Sequence, residues 1–567
     1  MKTIIAAFQE VVEQYPNNTA LAFLIQDHYK KITYKQLDNY RLQLAYYWQK
    51  NAWKKGQKVA IMLENSPEWA ISDLAAATLG IVTVPIHTTY NHIFLKNVIL
   101  HSETDYLVIH KKFYDKHKDT IHKLPLKKII IVGFIEEQNN KAKIEAWPLS
   151  YKETQVSKVR ADIHANDLHT IIYTSGTTGD PKGVMLSHRN LIINAQSAKR
   201  TVIINPEDRF FSFLPLSHAF ERIAGYYVAM LSGSSIYFSQ SKETLIEDIK
   251  KAKPTIINSV PRIFEKIYGK IFDKIDSSNP RKKKIFFKGL QLSVLRRKDE
   301  LTFTQTFLWF LLNILVFRKL RSILGGHLRL AVSGGASLDL KVIKFFENLG
   351  VQIIEGYGMT ETSPIISVNP ISDCRAGTVG QALDCNQIKI LDNKEILIKG
   401  DNVMLGYYNN DALTKETIDN NGWLHSGDLG FVDKEGFLTI IGRAKDMIVL
   451  STGKNIFPEG IENVLNESRY ISQSMIYGDK SKHISAFIVP NFEQLKLWCE
   501  KHNIKLNLTD ERIIDFYKLK IDHRLKNFAK VEQINNFKLI SEEFSQENGL
   551  LTPTLKLKRE KVLNKFL

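Results

Sequence analysis

Short apolar runs alternate with helical stretches along the first third of the chain. Tyr34 to Lys50 carries its apolar positions at helical spacing, whereas Lys58-Val59-Ala60-Ile61-Met62-Leu63 is an apolar run of strand length. Pro67 follows Ser66 as a first helical residue follows its cap, and Gly80 closes that helix. Ile81 to Ile86, Tyr106 to Ile109 and Ile129 to Val132 read as further buried strands. Strands and helices therefore alternate, the pattern of a mostly parallel sheet. Leu168-His169-Thr170-Ile171-Ile172 predicts a strand ending at Tyr173, and Ser187-His188-Arg189-Asn190 opens a helix. Phe211 to Leu216, Leu328 to Val332, Val351 to Ile354 and Phe437 to Ile441 predict more strands, and Asn455 to Glu462 starts a helix. The expected fold class is α/β: a large N-terminal domain of mostly parallel sheets flanked by helices, over residues 1–442, then a small α+β C-terminal domain over 443–567.

Composition narrows the function. A chain of 567 residues, 44% hydrophobic, can fill two or more cores. The excess of 77 Lys+Arg over 60 Asp+Glu, a net +17, suits polyanionic ligands, nucleic acid or an anionic membrane surface. No nucleic-acid-binding module accompanies the charge, so nucleic acid is not an expected partner. Cys374, Cys385 and Cys499 show neither metal-ligand spacing nor a disulfide framework, which points to a reducing cytoplasm. The apolar stretch Ile4 to Phe8 is too short for a secretory signal. Phe307 to Phe317, interrupted by Asn313, falls short of the roughly 20 residues that span a bilayer. Residues 281 to 299 gather Arg281, Lys282, Lys283, Lys284, Lys288, Arg296, Arg297 and Lys298 around Ile285, Phe286, Leu290, Val294 and Leu295. That segment has two readings: peripheral contact with an anionic membrane, on its inner face, or the solvated side of a helix packed within the domain.

The chemistry centres on Tyr173-Thr174-Ser175-Gly176-Thr177-Thr178-Gly179-Asp180-Pro181-Lys182-Gly183. Hydroxyls and glycines after a strand let backbone NH groups converge on phosphate oxygens, and a lysine adds mobile positive charge. The order is not that of a Walker A loop, because Lys182 follows a proline and precedes a glycine. Two more turns follow predicted strands: Ser333-Gly334-Gly335-Ala336, and Glu355-Gly356-Tyr357-Gly358-Met359-Thr360-Glu361. Open parallel sheets place ligands at such strand ends. There Tyr357 can stack on a base, Thr360 can bind phosphate and Glu361 can hold a magnesium ion. His218, just past a strand end in Leu216-Ser217-His218-Ala219-Phe220-Glu221-Arg222, reads as a ligand-facing residue or as a hydrogen-bonded loop histidine. Asp428, in Ser426-Gly427-Asp428, is suited to accepting both hydroxyls of a ribose.

Taken in order, these segments, with Gly442-Arg443-Ala444-Lys445-Asp446, resemble the adenylate-forming (AMP-binding) superfamily. Leu216 to Arg222 and Glu547 to Arg559 look most like long-chain fatty acyl-CoA ligases. The resemblance implies ATP, Mg²⁺ and coenzyme A as co-substrates and cofactor, a medium- to long-chain fatty acid as substrate, and a C-terminal domain that turns between two half-reactions. It also implies roles. Thr174, Ser175, Thr177, Thr178 and Lys182 would cradle the pyrophosphate end; Gly335, Ala336 and Tyr357 the adenine; Asp428 and Arg443 the ribose. Thr360 would meet the α-phosphate, Glu361 the Mg²⁺ and His218 the acyl carboxylate. Lys556 would bridge carboxylate and phosphate, with Lys558 the neighbouring alternative, and Lys445 would be the hinge. The alternatives are an acyl-AMP ligase that delivers to a carrier protein and an inactive nucleotide- or lipid-binding relative.

Overall fold

Two large sheets carry the alternation through the first part of the chain. The computed structural model describes residues 2–133, 143–150, 152, 159, 161–175, 181–241, 243–545, 547–552 and 557–567. The chain divides into two compact units: Met1–Phe264, Ile271–Ile388 and Ile398–Leu424 form one, and Glu265–Lys270, Lys389–Leu397 and His425–Leu567 the other.

In the first unit an eight-stranded sheet runs in the order Gly406–Tyr407, Pro181–Ser187, Leu168–Ser175, Val82–Pro85, Lys58–Met62, Tyr106–His110, Lys128–Val132, Ile144–Ala146. It is parallel from Leu168–Ser175 onward and antiparallel at its other end. A nine-stranded sheet has a parallel centre, Gln352–Gly358, Leu330–Ser333, Ile256–Ser259, Arg209–Ser212, Ser235–Phe238 and Thr19–Ile25, with antiparallel strands at both ends. One apolar core joins residues of both sheets, Ile61 and Val108 of one with Leu21, Phe210 and Ile256 of the other, through helices packed between them. Helix Pro67–Leu79 is buried at every residue but Glu68, capped by Ser66, whose side chain accepts from Trp69 N, and ended by Gly80 at φ 68°.

Three expected elements differ. The strand expected to end at Tyr173 continues to Ser175 and pairs antiparallel with a second strand, Pro181–Ser187, which the pattern did not announce. The strand expected over Phe211 to Leu216 stops at Ser212. Asn65 reaches across from the other sheet, donating from Nδ2 to Leu214 O at 2.7 Å and accepting from Leu216 N at 3.0 Å. Those backbone groups are thereby lost to a strand ladder, and Pro215 between them has no N–H to offer. The helix expected within Asn455 to Glu462 begins at Pro458, an N1 proline, after a two-residue strand Asn455–Ile456.

The second unit has a three-stranded sheet of Ile471–Tyr477, Ser485–Pro490 and Asn536–Leu539. Ile461, Leu465, Ile488, Leu495, Tyr517 and Ile521 fill one cluster of its core, and Met475, Phe487, Phe544 and Val562 a second. Among the described residues no helix is long and apolar enough to cross a membrane.

Candidate active site

The described ends of the phosphate-type segment lie on the strands Leu168–Ser175 and Pro181–Ser187, which pair antiparallel at one end of the eight-stranded sheet. Their register sets Tyr173 opposite Gly183 and Thr174 opposite Lys182. A Cβ at Gly183 would stand 2.8 Å from Ile171 Cγ2 and 3.1 Å from the Tyr173 ring, so the close approach of side chains across the hairpin needs glycine there. Thr177 and Thr178, with Gly176, Gly179 and Asp180, lie outside the described residues, as does the side chain of Ser175. Segment 404–408 seals this edge: Leu405 N donates to Met185 O at 2.9 Å, Tyr408 N to Gly183 O at 2.8 Å, and Met404 N to Glu361 O at 2.8 Å.

Those contacts bring the Glu361 turn beside the hairpin. Tyr407 Oη donates to Glu361 Oε1 at 2.8 Å, and Lys182 Nζ lies 6.0 Å from the centre of the Tyr407 ring. Burial and the adjacent carboxylate push the Tyr407 phenol well above its ordinary range, so it stays a hydrogen-bond donor. Residues Thr360–Thr362 form a single 3₁₀ turn that ends at Ser363, with φ 67°. Met359 N and Thr362 Oγ1 both donate to Pro364 O, at 3.0 and 2.8 Å. Asn402 Nδ2 donates to Thr362 O at 2.9 Å. Among the described residues no group of three or more His, Cys, Asp or Glu could hold a metal ion. A lone carboxylate fits Mg²⁺ nonetheless, because this ion keeps its waters and takes most of its other ligands from phosphates.

Tyr357 is on the strand Gln352–Gly358, opposite Ser367. Gly335 and Ala336 are exposed in the turn after Leu330–Ser333. Gly335 takes φ 88°, and Gly334 lies so close to the Phe220 ring that a Cβ would stand 3.0 Å from it. Glu355, buried, accepts from Leu338 N at 3.1 Å and pins the far end of this turn. Burial holds its carboxyl above the ordinary range.

His218 sits half-buried in the turn that Asn65 fixes, its ring 6.3 Å from that of His87. His87 Nδ1 is 2.8 Å from Ser217 Oγ, and burial, with His218 nearby, pushes His87 down to about 3, so it is neutral at ordinary pH. A π-helix, Glu221–Tyr227, follows directly. Glu221 accepts from Ser212 Oγ at 2.6 Å and is pushed by burial up to about 8. Arg222, fully buried, donates to Thr170 Oγ1 at 2.7 Å and to Thr83 Oγ1 at 2.9 Å, and it pairs with Asp73. Burial pushes Asp73 up, but Arg222, His169 and Tyr227 together hold it well below the usual carboxylate range. This network locks the His218 turn onto the eight-stranded sheet.

The remaining candidates belong to the second unit. Asp428 and Arg443 are cross-strand partners, with Arg443 Nε 2.9 Å from Asp428 Oδ1. Lys445 is exposed in the 3₁₀ turn Ala444–Asp446. Lys556 lies outside the described residues, but its flanks are tied: Leu551 bridges Leu557, Lys558 N donates to Leu550 O at 2.9 Å, and Arg559 pairs with Glu462 at 2.6 Å. Sequence reasoning missed Tyr407, Glu355, Asn65 and His87. The one local signal for Tyr407 was Gly406-Tyr407-Tyr408 before Asn409-Asn410, a glycine and an aromatic pair at a turn.

Parallel sheets with ligand-type turns at their strand ends, followed by a small α+β unit, are the architecture of an adenylate-forming enzyme. The chain belongs to the AMP-binding enzyme family, which matches residues 8–408, with the AMP-binding enzyme C-terminal domain matching residues 445–566. It is 32% identical to long-chain-fatty-acid–CoA ligase FadD15 of Mycobacterium bovis over 536 residues, 90% of this chain and 87% of that protein. It is likewise 32% identical to long-chain-fatty-acid–CoA ligase 5 of Rattus norvegicus, covering 100% of this chain and 87% of that one. Among solved structures, the O-succinylbenzoate coenzyme A synthetase MenE of Bacillus subtilis with ATP and magnesium superposes with a TM-score of 0.70 at 21% identity, over 98% and 99% of the two chains. The anthranilate CoA ligase AuaEII with anthranoyl-AMP gives 0.76 at 20% identity, over 100% and 97%.

Proposed function

We propose that the protein is an ATP-dependent ligase that joins a medium- to long-chain fatty acid to coenzyme A. A carboxylate oxygen attacks the α-phosphorus of ATP, the bond to the β-phosphate breaks, and pyrophosphate leaves. The coenzyme A sulfur then attacks the acyl carbon, and AMP departs with the electrons of the anhydride C–O bond. A free carboxylate is a poor acylating agent because its oxygen leaves badly, so adenylation makes it reactive without an enzyme nucleophile. What the protein supplies is alignment and charge neutralisation.

The observation that carries this reading is that Tyr407 neighbours both charged candidates: its hydroxyl donates to Glu361 Oε1 at 2.8 Å, and Lys182 Nζ lies 6.0 Å from its ring centre, a carboxylate suited to magnesium and a cation suited to phosphate. In this reading Thr174, Ser175, Thr177, Thr178 and Lys182 hold the β- and γ-phosphates, Thr360 meets the α-phosphate, and Gly335, Ala336 and Tyr357 hold the adenine. Glu361 supplies the protein ligand to Mg²⁺, which when bound screens phosphate charge. His218 faces the acyl carboxylate, kept in place by Asn65. Asp428 and Arg443 serve the ribose, and Lys556 reaches the reacting carboxylate. The functional boundary falls at Gly442/Arg443, with Lys445 as the pivot. The fatty-acid assignment is supported by the names of the relatives, and a carrier protein as acceptor is not favoured by them. A substrate that partitions into bilayers adds peripheral contact with an anionic membrane to the reading.

The test is AMP release dependent on ATP, Mg²⁺ and coenzyme A, screened over fatty acids of graded length. Release that needs both a fatty acid and coenzyme A is expected. Adenylation without any coenzyme A dependence, or turnover confined to aromatic acids, would overturn the assignment.

A further inference from the structure

Helix Phe303–Leu312 and the π-turn Asn313–Phe317 that prolongs it are held to the molecule by one side alone. Leu312 and Phe317 are buried, and Phe317 packs against Gly289 of helix Pro280–Arg297, where a Cβ would stand 3.0 Å from the ring. Trp309 Nε1 donates to Ser293 Oγ at 3.0 Å, and the Arg296 guanidinium lies 3.8 Å from the centre of the Trp309 ring. The opposite side is apolar and open. Phe303 is 91% exposed, Phe307 64%, Phe310 54% and Leu315 61%, with Leu311 and Ile314 beside them. Steps of three and four residues from Phe303 through Phe307, Phe310 and Leu311 to Ile314 put these side chains along one stripe. A contiguous apolar stripe of this size on a protein surface marks an interaction site.

The surrounding charge says what covers it. Residues 280–322 hold eleven lysines and arginines against Asp299 and Glu300, a net +9 out of +17 for the whole chain. From Leu301 to Leu338 there is no acidic residue at all. Arg281, Lys282, Lys284 and Lys288 are exposed on the helix that underlies the stripe, and Arg318 and Lys319 follow it directly. We propose that the stripe Phe303–Leu315 and its flanking cations form a docking face for an anionic lipid bilayer, the aromatic side chains entering the acyl boundary while the cations meet the headgroups. A second copy of the chain is the weaker occupant, because a twofold contact through this stripe would bring two strongly cationic segments together. The face deepens the peripheral membrane contact of the proposed function. It would deliver the enzyme to the surface in which a fatty acid is dissolved.

The experiment is co-sedimentation of the full-length protein with phosphatidylcholine vesicles containing either no anionic lipid or about one-third phosphatidylglycerol. Two variants are run beside it, F307S/F310S/L315S and K282E/K284E/K288E. All six positions are exposed, and thermal unfolding midpoints verify that both variants fold. The wild type is expected on anionic vesicles and not on neutral ones, with binding weakened by raised salt and lowered about tenfold or more in each variant. Failure of the wild type to bind anionic vesicles overturns the proposal, as does undiminished binding by the serine variant. Lipid-free dimerisation lost in the serine variant, with lipid binding unchanged, would assign the stripe to a second copy and also overturn it. No turnover is read, so an inactive protein that still binds vesicles would sink the ligase reading while leaving the docking face intact.

Discussion

Tyr407 joins the two charged candidates of the phosphate site: its hydroxyl donates to Glu361 Oε1 at 2.8 Å, and its ring lies 6.0 Å from Lys182 Nζ. The hydroxyl orients one carboxylate oxygen, and under the proposed function the other is the ligand oxygen for Mg²⁺. Tyr407→Phe is expected to raise the Mg²⁺ concentration needed for half-maximal AMP release several-fold, with most of the rate recovered at saturating Mg²⁺. Glu361→Gln removes the charge itself and is expected to lower the rate about a hundredfold without recovery. AMP release titrated against Mg²⁺ separates the two, and equal behaviour of both variants would dissociate Tyr407 from the ion.

Gly358 has no room for a side chain. A Cβ there would stand 1.9 Å from Pro364 O, and that carbonyl is already held by Met359 N and Thr362 Oγ1. Because the obstacle is backbone, Gly358→Ala is expected to cost roughly 3 kcal/mol or more, or to displace the Thr360–Glu361 turn at smaller cost. Urea unfolding reads the first outcome and a raised KM for ATP the second. Wild-type values of both would refute the crowding.

Buried titratable groups give stability a defined pH dependence. Burial pushes His188 down to about 2 and His87 down to about 3, so both are neutral when folded, whereas in the unfolded chain they take up protons below pH 6.5. The unfolded state therefore binds more protons there, and stability falls as pH drops from 6.5, by up to ~1.4 kcal/mol per pH unit for each histidine. His188→Gln is expected to flatten that slope by one proton. Glu221 acts at the other end. Burial lifts it from 4.5 to about 8, so its contribution is complete below pH 4.5 and is lost as pH rises through 8. Glu221→Gln should thus gain roughly 2–4 kcal/mol at pH 9 relative to its effect at pH 5. Denaturant midpoints across this range decide both points, and a Glu221→Gln effect independent of pH would show that the carboxyl is not held neutral.

On the roles proposed for Lys445 and Lys556, substitutions in the second unit should separate the two half-reactions. Lys445→Pro fixes the backbone φ at the proposed pivot, and is expected to spare carboxylate-dependent pyrophosphate exchange while abolishing thioester formation. Lys556→Ala is expected to do the reverse, lowering adenylation about a hundredfold or more while pre-formed acyl-AMP still reacts with coenzyme A. Loss of both steps in either variant would contradict its assignment.

Much of the candidate site was legible because its residues cluster in short segments. The hairpin hydroxyls with Lys182, the Tyr357 to Glu361 turn and the Arg443 turn each announce their chemistry within a few positions. Their supports did not. Tyr407 is 46 residues from the carboxylate it orients, and Asn65 is 149 from the Leu214 carbonyl it holds. Asparagine and tyrosine carry no mark of such partners, which are set by which strands become neighbours. The strand Pro181–Ser187 was missed for a related reason. Its proline and glycine read as loop residues, and its pairing with Leu168–Ser175 is what makes it a strand.

The order of local chemistry along the chain, the alternation of apolar runs and helices, and the cationic bias of residues 280–322 were determined by the sequence by itself, because each depends on residues close together in the chain. The tertiary structure decided which of those groups meet. It set Glu361 against Tyr407, buried Arg222 on Asp73, and turned the stripe from Phe303 to Leu315 outward. A hydrophobic pattern specifies that a face is apolar. Whether that face is covered depends on what packs over it, and here Trp309, Leu312 and Phe317 provide the anchorage on the other side.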